Sequence, residues 1–317
     1  MTRRVLLSGG AGFVGSHVAE AYLAAGDEVT VLDDLSTGRR ENLPRGVRLV
    51  HADIRSAEAR DLLAQGRFEL LNHHAAQMDV RRSVADPLFD LDVNLRGLLN
   101  LLEGARAGGV RRVVFASSGG VVYGDATAPP CREGAAKLPI SPYGVAKLAS
   151  EHYLMAYSRL YGLDVASLRY SNVYGPRQNA EGEAGVVAIF SRKMLAGEPL
   201  TIFGDGEQTR DMVYVKDVAA ANLAASDRPL PPPEGLDARA WNIGTGVETS
   251  VNELHAACRR VTGVDREPEY ADERPGDIRR SVTDPGLAAR ELGWRAEASL
   301  EEGLKLTWQS LQEAAAA

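Results

Sequence analysis

Through its first half the chain alternates short apolar runs with helical stripes, and each run stops at glycine or a polar cluster. Val5 to Ser8 is mostly apolar and leads into Gly9-Gly10-Ala11-Gly12-Phe13-Val14-Gly15. Val14, Val18, Ala21, Tyr22 and Ala25 then share one side of a helical wheel, which predicts an amphipathic helix closed by Gly26. Glu28-Val29-Thr30-Val31-Leu32 predicts a second strand ending at Asp33. Further strands are predicted at 47–50, leading to Asp53-Ile54, and at 68–72, leading into His73-His74-Ala75-Ala76-Gln77. Another at 113–115 leads to Ser117-Ser118-Gly119-Gly120. Strands alternating with helices predict an α/β fold around a doubly wound parallel sheet, with every strand end on the edge where such a sheet holds its ligand.

The stretch from Leu91 to Ala107 predicts one helix that is apolar on two faces, through Leu91, Val93, Leu95, Leu98, Leu99, Leu101, Leu102 and Ala105. A surface helix needs one such stripe. The second face fits burial against another subunit or a place between layers of the same chain, and the pattern does not choose between them. After Pro176 the sheet-like alternation weakens. Val186 to Phe190 is an apolar run, and Leu200-Thr201-Ile202-Phe203 predicts a short strand ended by Gly204-Asp205-Gly206. Arg228 to Gly235 carries four prolines and predicts a loop before a strand at Trp241-Asn242-Ile243. Ser299-x-x-Glu302 reads as a capping box. Leu300, Leu304, Trp308 and Leu311 then predict a docked terminal helix whose last four alanines fray.

A length of 317 residues allows one large α/β domain or two smaller ones. A net charge of −7 offers no basic footprint for nucleic acid, and no apolar run is long enough to span a bilayer. The charged start Met1-Thr2-Arg3-Arg4 lacks a sustained apolar region, so a first strand is expected there rather than an export signal. Cys131 and Cys258 are far apart, which fits a reducing cytoplasm better than a disulfide framework. His73 and His74 are adjacent and lack a third ligand, so no metal site is expected.

Two stretches carry candidate chemistry. Strand, glycine turn, helix, strand and acid is the context in which backbone N–H groups approach a pyrophosphate and the acid accepts hydrogen bonds from a ribose. The spacing here is Gly-x-x-Gly-x-x-Gly. In Ser141-Pro142-Tyr143-Gly144-Val145-Ala146-Lys147, serine and proline predict an N-cap and first helical position. Tyr143 and Lys147 then lie one turn apart on one face. An ammonium beside a phenol favours the phenolate, giving a base near neutrality. Taken alone, the pattern describes a tyrosine packed on a lysine stem, and only a cofactor turn and a substrate pocket elsewhere in the chain turn it into a base.

Gly9-x-x-Gly12-x-x-Gly15, Asp33, Asp53-Ile54, Ser117-Ser118, Tyr143-x-x-x-Lys147 and the run from Arg169 through Asn172 to Arg177 occur in the order found in the extended short-chain dehydrogenase/reductases. Over nearly its whole length the chain most resembles the nucleotide-sugar 4-epimerases of that family, the UDP-glucose (UDP-galactose) 4-epimerase type. The resemblance implies a Rossmann domain over 1–171, to which some later segments return, and a smaller α/β substrate lobe with the C-terminal helix over 172–317. It implies NAD held by Gly9, Gly12, Phe13, Val14 and Gly15 at the pyrophosphate, and by Asp33, Asp34, Ser36, Thr37 and Gly38 around the adenosine ribose. Asp53 and Ile54 would meet the adenine. Ala75, Ala76, Gln77, Asn94, Tyr170 and Val173 would run along the nicotinamide half.

It further implies Tyr143 as base, Lys147 on the nicotinamide ribose, and Ser118 as the active hydroxyl, with Ser117 as fallback. Asn172, Arg210 and Arg274 would hold the UDP-sugar diphosphate, Val187, Thr201 and Phe203 would flank the uracil, and Asp277 would meet ribose hydroxyls. The implied protein is a cytoplasmic homodimer through the 91–107 and 142–160 helices. Gly119-Gly120 stand where the 4,6-dehydratases of the family carry Asp-Glu, which removes that chemistry. Ser281 at a pocket position leaves room for an N-acetyl group. A UDP-uronic acid 4-epimerase or decarboxylase would use the same machinery with Arg81 or Arg82 on the carboxylate, and a non-catalytic NAD-binding protein would keep only the fold.

Overall fold

The computed structural model describes residues 2–125, 129–179, 185–273 and 278–316. Its strands are β1 (Arg4–Ser8), β2 (Glu28–Asp33), β3 (Arg48–His51), β4 (Leu70–His73), β5 (Arg112–Ser118), β6 (Asp164–Tyr170), β7 (Asn172–Tyr174), β8 (Thr201–Phe203), β9 (Thr209–Tyr214), β10 (Ala240–Ile243), β11 (Glu248–Ser250), β12 (Glu269–Ala271) and β13 (Arg280–Ser281). Seven of them form one parallel sheet in the order β10-β6-β5-β4-β1-β2-β3. Sequential neighbours run outward from β1 in one direction and from β4 in the other. The crevice between β1 and β4 is therefore the switch point at which such sheets bind ligands.

Strands covered on both faces are apolar through their middle, and β1 is: Val5, Leu6 and Leu7 have no exposed surface. One face packs Val5, Leu7, Val31 and Trp241 against Val18 and Tyr22 of the Phe13–Ala24 helix and Val218 and Ala221 of the Val215–Asp227 helix. The other packs Leu6, Leu71 and Phe115 against Leu63, Leu98, Leu102 and Leu154. A separate core holds Val187, Phe190, Met212, Tyr214, Leu254 and Trp308 beneath the second lobe's small sheet, where β9 pairs with β7, β11 and β13. The chain after residue 172 does not stay in that lobe. The Val215–Asp227 helix packs on the first helix, and β10 becomes the outermost strand of the seven.

The expected single helix over 91–107 is instead three pieces: Pro87–Leu91, a π-helical stretch Asp92–Arg96, and Gly97–Gly108. The wide turn carries Asn94 inward, where it is 4 % exposed and bonded on three sides. Insertion of one such turn is a frequent mark of a functional position. One apolar face packs Leu98, Leu101, Leu102 and Ala105 inside the chain, where Gly104 and Gly108 admit the backbone of the Ala57–Gln65 helix. Val93 and Leu99 of its other face pack partly against the same core, and the apolar residues left exposed are Leu91, Val84 and Leu88 on the short helices before it and Val145, Tyr153 and Leu160 on the Pro142–Tyr161 helix. At the C-terminus Ser299 and Glu302 form the expected reciprocal cap. The helix runs from Leu300 to Ala316, and Ala317, the last of the four alanines expected to fray, lies outside the described residues.

Candidate active site

The turn after β1 is made of glycines for steric reasons visible at each position. Gly9 has φ +72°, and a Cβ there would strike the Ala75 backbone; a Cβ on Gly15 would strike the Gly9 carbonyl. Gly12, by contrast, meets only the Gly9 oxygen at 3.3 Å. It opens the Phe13–Ala24 helix with no side-chain cap and no acid in the first turn. An uncapped helix N-terminus fronted by backbone is a cradle for a phosphate. Asp33 closes the far side. One of its oxygens accepts from the Ala11 N–H (2.9 Å) and the other from the Leu35 N–H (2.8 Å). Burial nevertheless pushes its pKa up, so the two amides hold in place a carboxylate that desolvation opposes. Asp34, Ser36 and Thr37 are exposed on the loop that follows, with Asp34 accepting from the Ser36 hydroxyl at 2.6 Å. A Cβ on Gly38 would come within 2.9 Å of Asp33 Oδ1.

Asp53 is clamped by Arg55 at 2.5 Å, while Ile54 is 6 % exposed and packs in the core against the space that Gly97 leaves open. Phe13 and Val14 are half-buried at the helix start, as are Ala75 and Ala76 across the crevice. Gln77 and Asn94 are both buried and bonded to each other twice, Gln77 N–H to the Asn94 oxygen and Asn94 amide to the Gln77 carbonyl, each at 2.9 Å. Both also donate to Asp90, a residue with no signal in the sequence beyond its place on an amphipathic helix.

Ser141 caps the Pro142–Tyr161 helix by accepting from Gly144 N–H at 3.1 Å, with Pro142 at the first position. This sets Tyr143, Lys147 and Glu151 on successive turns. The Lys147 ammonium donates to the Ala116 carbonyl at 2.7 Å and lies 4.7 Å from the Phe115 ring centre and 5.6 Å from that of Tyr143. It is 5 % exposed, and desolvation lowers its pKa to about 8 against the opposing pull of Asp90 and Glu151. Strand alternation separates the two candidate serines. Ser117 is buried and donates to Glu151 at 2.5 Å; Ser118 is half-buried on the opposite face.

Beneath Ser117 lies a sealed ion pair. Arg169, without exposed surface, meets Glu151 at 2.6 Å and also donates to the Tyr123 hydroxyl and the Glu133 carbonyl. Tyr170 turns its hydroxyl to the Asn222 amide (2.8 Å) and stacks on His74 at 6.0 Å. His73 bonds Ser8 Oγ at 2.6 Å. Burial lowers the pKa of His73 and His74 to about 3 and of His17 to about 4. These three groups fix the sign of an acid effect. Unfolded imidazoles take up protons below about pH 6.5 while the folded ones stay neutral, so stability is lost as pH falls from there. Each histidine can withdraw up to about 2 kcal/mol by pH 5. The thermal midpoint is expected to drop between pH 7 and pH 5, and His74→Asn to flatten that drop; a midpoint flat in both proteins would refute the assignment.

In the second lobe Asn172 is exposed and Val173 half-buried on β7, and Thr201 and Phe203 are half-buried on β8. Phe203, Gly204, Asp205, Gln208, Glu273 and Arg279 line a cleft of ≈180 Å³. Arg210 spans from β9 to the Ile278 carbonyl at 2.7 Å. The Val187 side chain has no exposed surface and belongs to the lobe's core, so it offers nothing to the cleft. Arg274 and Asp277 lie outside the described residues.

The sequence pattern of the NAD dependent epimerase/dehydratase family matches residues 5–244. A UDP-glucose 4-epimerase of Mycolicibacterium smegmatis is 48% identical over 309 residues, 96% of this chain and 97% of that protein. The crystal structure of UDP-glucose 4-epimerase with UDP-glucose from Thermotoga maritima superposes with a TM-score of 0.94 at 44% identity, covering 98% and 99% of the two chains. That of the Thermus thermophilus enzyme in complex with NAD gives 0.89 at 45%, again covering 98% and 99%.

Proposed function

The chain belongs to the NAD dependent epimerase/dehydratase family, and within it we propose that it is an isomerase interconverting the C4 configurations of a UDP-hexose, with NAD as its resident cofactor. The observation that carries this reading is the end of β5. Lys147 is tied to the Ala116 carbonyl beside Tyr143, Ser118 faces away from the buried ion pair, and Gly119-Gly120 follow with no acid–base couple. The site has what is needed to move a proton at a sugar hydroxyl and lacks what is needed to eliminate water.

NAD fits the residues present: the tight turn, in which a Cβ on Gly9 or Gly15 would collide with main chain, leaves the helix N-terminus at Gly12 uncapped, and the Asp33 carboxylate, fixed by two amides, would repel a 2′-phosphate. When bound, NAD supplies an acceptor for the C4 hydride and returns it. Phe13, Val14, Asp34, Ser36, Thr37, Gly38, Asp53, Ile54, Ala75, Ala76, Tyr170 and Val173 complete its surroundings in this reading. The chain's own part is proton handling and orientation. Tyr143 as phenolate takes the proton of the 4-hydroxyl, Ser118 shares that hydrogen bond, and the Lys147 ammonium favours the phenolate by charge. Return of the proton from Tyr143 to the opposite alkoxide closes the cycle with no net redox change.

We place the UDP-sugar in the 172–317 lobe, with Asn172 and Arg210 toward the diphosphate and Thr201 and Phe203 toward the uracil. Arg274 and Asp277 complete that assignment. Arg81 and Arg82 are exposed on the Val80–Ala85 helix, and Arg82 sits 4.1 Å over the Phe89 ring, which favours a neutral hexose over a uronate. Purified protein with no added NAD is expected to interconvert UDP-glucose and UDP-galactose. UDP-N-acetylglucosamine and UDP-glucuronate in the same panel test the neighbouring substrates. Absence of C4 exchange on every UDP-hexose would sink the proposal.

The open apolar face fits a homodimer. Leu88 is 77 % exposed and Leu160 72 %, and Leu91 and Val145 lie about half in solvent. Such a patch on two adjoining helices matches a self-complementary two-fold contact. Leu160→Glu is expected to halve the mass seen by light scattering; an unchanged mass would exclude this face.

A further inference from the structure

We propose that Asp90 is a positioning residue of the reaction, a buried counter-charge clamped by Gln77 and Asn94 that keeps the Lys147 ammonium charged beside Tyr143. The inference rests on the reading of Tyr143 and Lys147 as the base and its partner. A lysine that is 5 % exposed tends to shed its proton, and a neutral amine cannot hold a phenolate. Something in the site must oppose desolvation.

The groups that face Lys147 can be taken element by element. From β5 come the Ala116 carbonyl and the Phe115 ring, which carry no charge. From the end of β4 come His73 and His74, both held neutral by burial. From its own helix come Tyr143 and Glu151. From the Pro87–Leu91 helix, packed against it, comes Asp90.

Of the two carboxylates, Glu151 has a cation of its own in Arg169, which it shares with Asp237 at 3.0 Å. Its oxygens receive Arg169 Nε at 3.0 and 3.2 Å, an Arg169 terminal nitrogen at 2.6 Å, and the Ser117 hydroxyl. Asp90 is 1 % exposed and its Oδ1 receives neutral amides, Gln77 Nε2 and Asn94 Nδ2, each at 3.0 Å. Burial pushes the Asp90 pKa up, and the Gln77 amide, the Lys147 ammonium and the Asn94 amide oppose that shift; amides fix a carboxylate without cancelling its charge.

The clamp is also self-contained. Gln77 donates its amide to Asp79 O as well and accepts from Asp79 N–H at 2.7 Å; Asn94 uses its remaining donor and its oxygen on the Gln77 backbone. Two side chains expected on the nicotinamide are thus engaged in holding an acid. The π-helical turn at 92–96 is what brings Asn94 onto Asp90.

The test reads Lys147 directly. The sequence contains five lysines, Lys137, Lys147, Lys193, Lys216 and Lys305, so ¹³Cε-lysine-labelled protein gives a resolvable NMR titration, with Lys147 assigned by Lys147→Met. In Asp90→Asn the Lys147 midpoint is expected about one pH unit below that of the unmodified protein. The alkaline limb of kcat/KM on the UDP-hexose should move down with it. Asp90→Ser, with a smaller neutral side chain, is run in parallel and must shift the midpoint the same way. A midpoint that stays in place in a folded variant overturns the proposal, whatever happens to turnover, because lost packing alone would not move it. A shifted midpoint in a protein with no C4 exchange would sink the epimerase reading and leave the counter-charge standing.

Discussion

Tyr143→Phe is expected to lower kcat by about 10³-fold or more, equivalent to about 4 kcal/mol of transition-state stabilisation, while NAD stays bound. The change removes one oxygen. The ring remains, so the contact with the Lys147 ammonium and the first turn capped by Ser141 persist. Loss of uniform binding would appear in KM, whereas loss of the proton acceptor falls on kcat and kcat/KM together. NAD retention, read from the absorbance of the purified variant, separates a missing base from a collapsed cofactor site. Turnover within tenfold of the parent protein would refute Tyr143 as the base.

Arg169→Met is expected to be the most damaging single change to stability. It leaves Glu151, 1 % exposed, as a buried carboxylate without its cation, and breaking a buried pair from one side costs about 3–5 kcal/mol. The same substitution orphans the Tyr123 hydroxyl and the Glu133 carbonyl from their guanidinium. Urea midpoints measure the effect. Adding Glu151→Leu should recover part of the loss, because two apolar residues of similar volume avoid the desolvation of both ions. If the double variant is no more stable than Arg169→Met, the penalty does not come from the stranded charge. The pair sits directly under the site, with Ser117 as its roof.

The parts of the site that were legible in the sequence are those where backbone geometry restricts residue type. Gly9 and Gly15 are glycine because a Cβ would collide with main chain, and Ser141-Pro142 opens a helix because that position favours an acceptor and tolerates a missing N–H. The period of the helix then places Tyr143 and Lys147 together with no further information. Strand alternation likewise distinguishes Ser117 from Ser118 once the register of β5 is known.

What was not legible depends on which polar groups find each other across the fold. Gln77 and Asn94 stand where the resemblance puts cofactor contacts, yet their side chains hold Asp90. The sequence has no mark for a π-turn, so the helix over 91–107 read as continuous. Val187 sits in an apolar run and could not be told from a pocket residue, since a cleft wall and a core differ only in what lies on the other side. The seventh strand was seen at Trp241-Asn242-Ile243, but nothing local says which sheet it joins.

That late strand has a consequence for synthesis. Until Ile243 has left the ribosome, β6 is the edge of a parallel sheet, with Ser167 to Tyr170 lacking their partners Ala240 to Ile243. The floor supplied by Trp241 and by the Val215–Asp227 helix is absent as well. Nascent chains halted just before Val215 should therefore bind hydrophobic dyes and chaperones, and chains extended first past Asp227 and then past Ile243 should progressively lose that affinity. The cofactor cradle, although encoded in the first 33 residues, matures only when the ribosome has read more than two-thirds of the message.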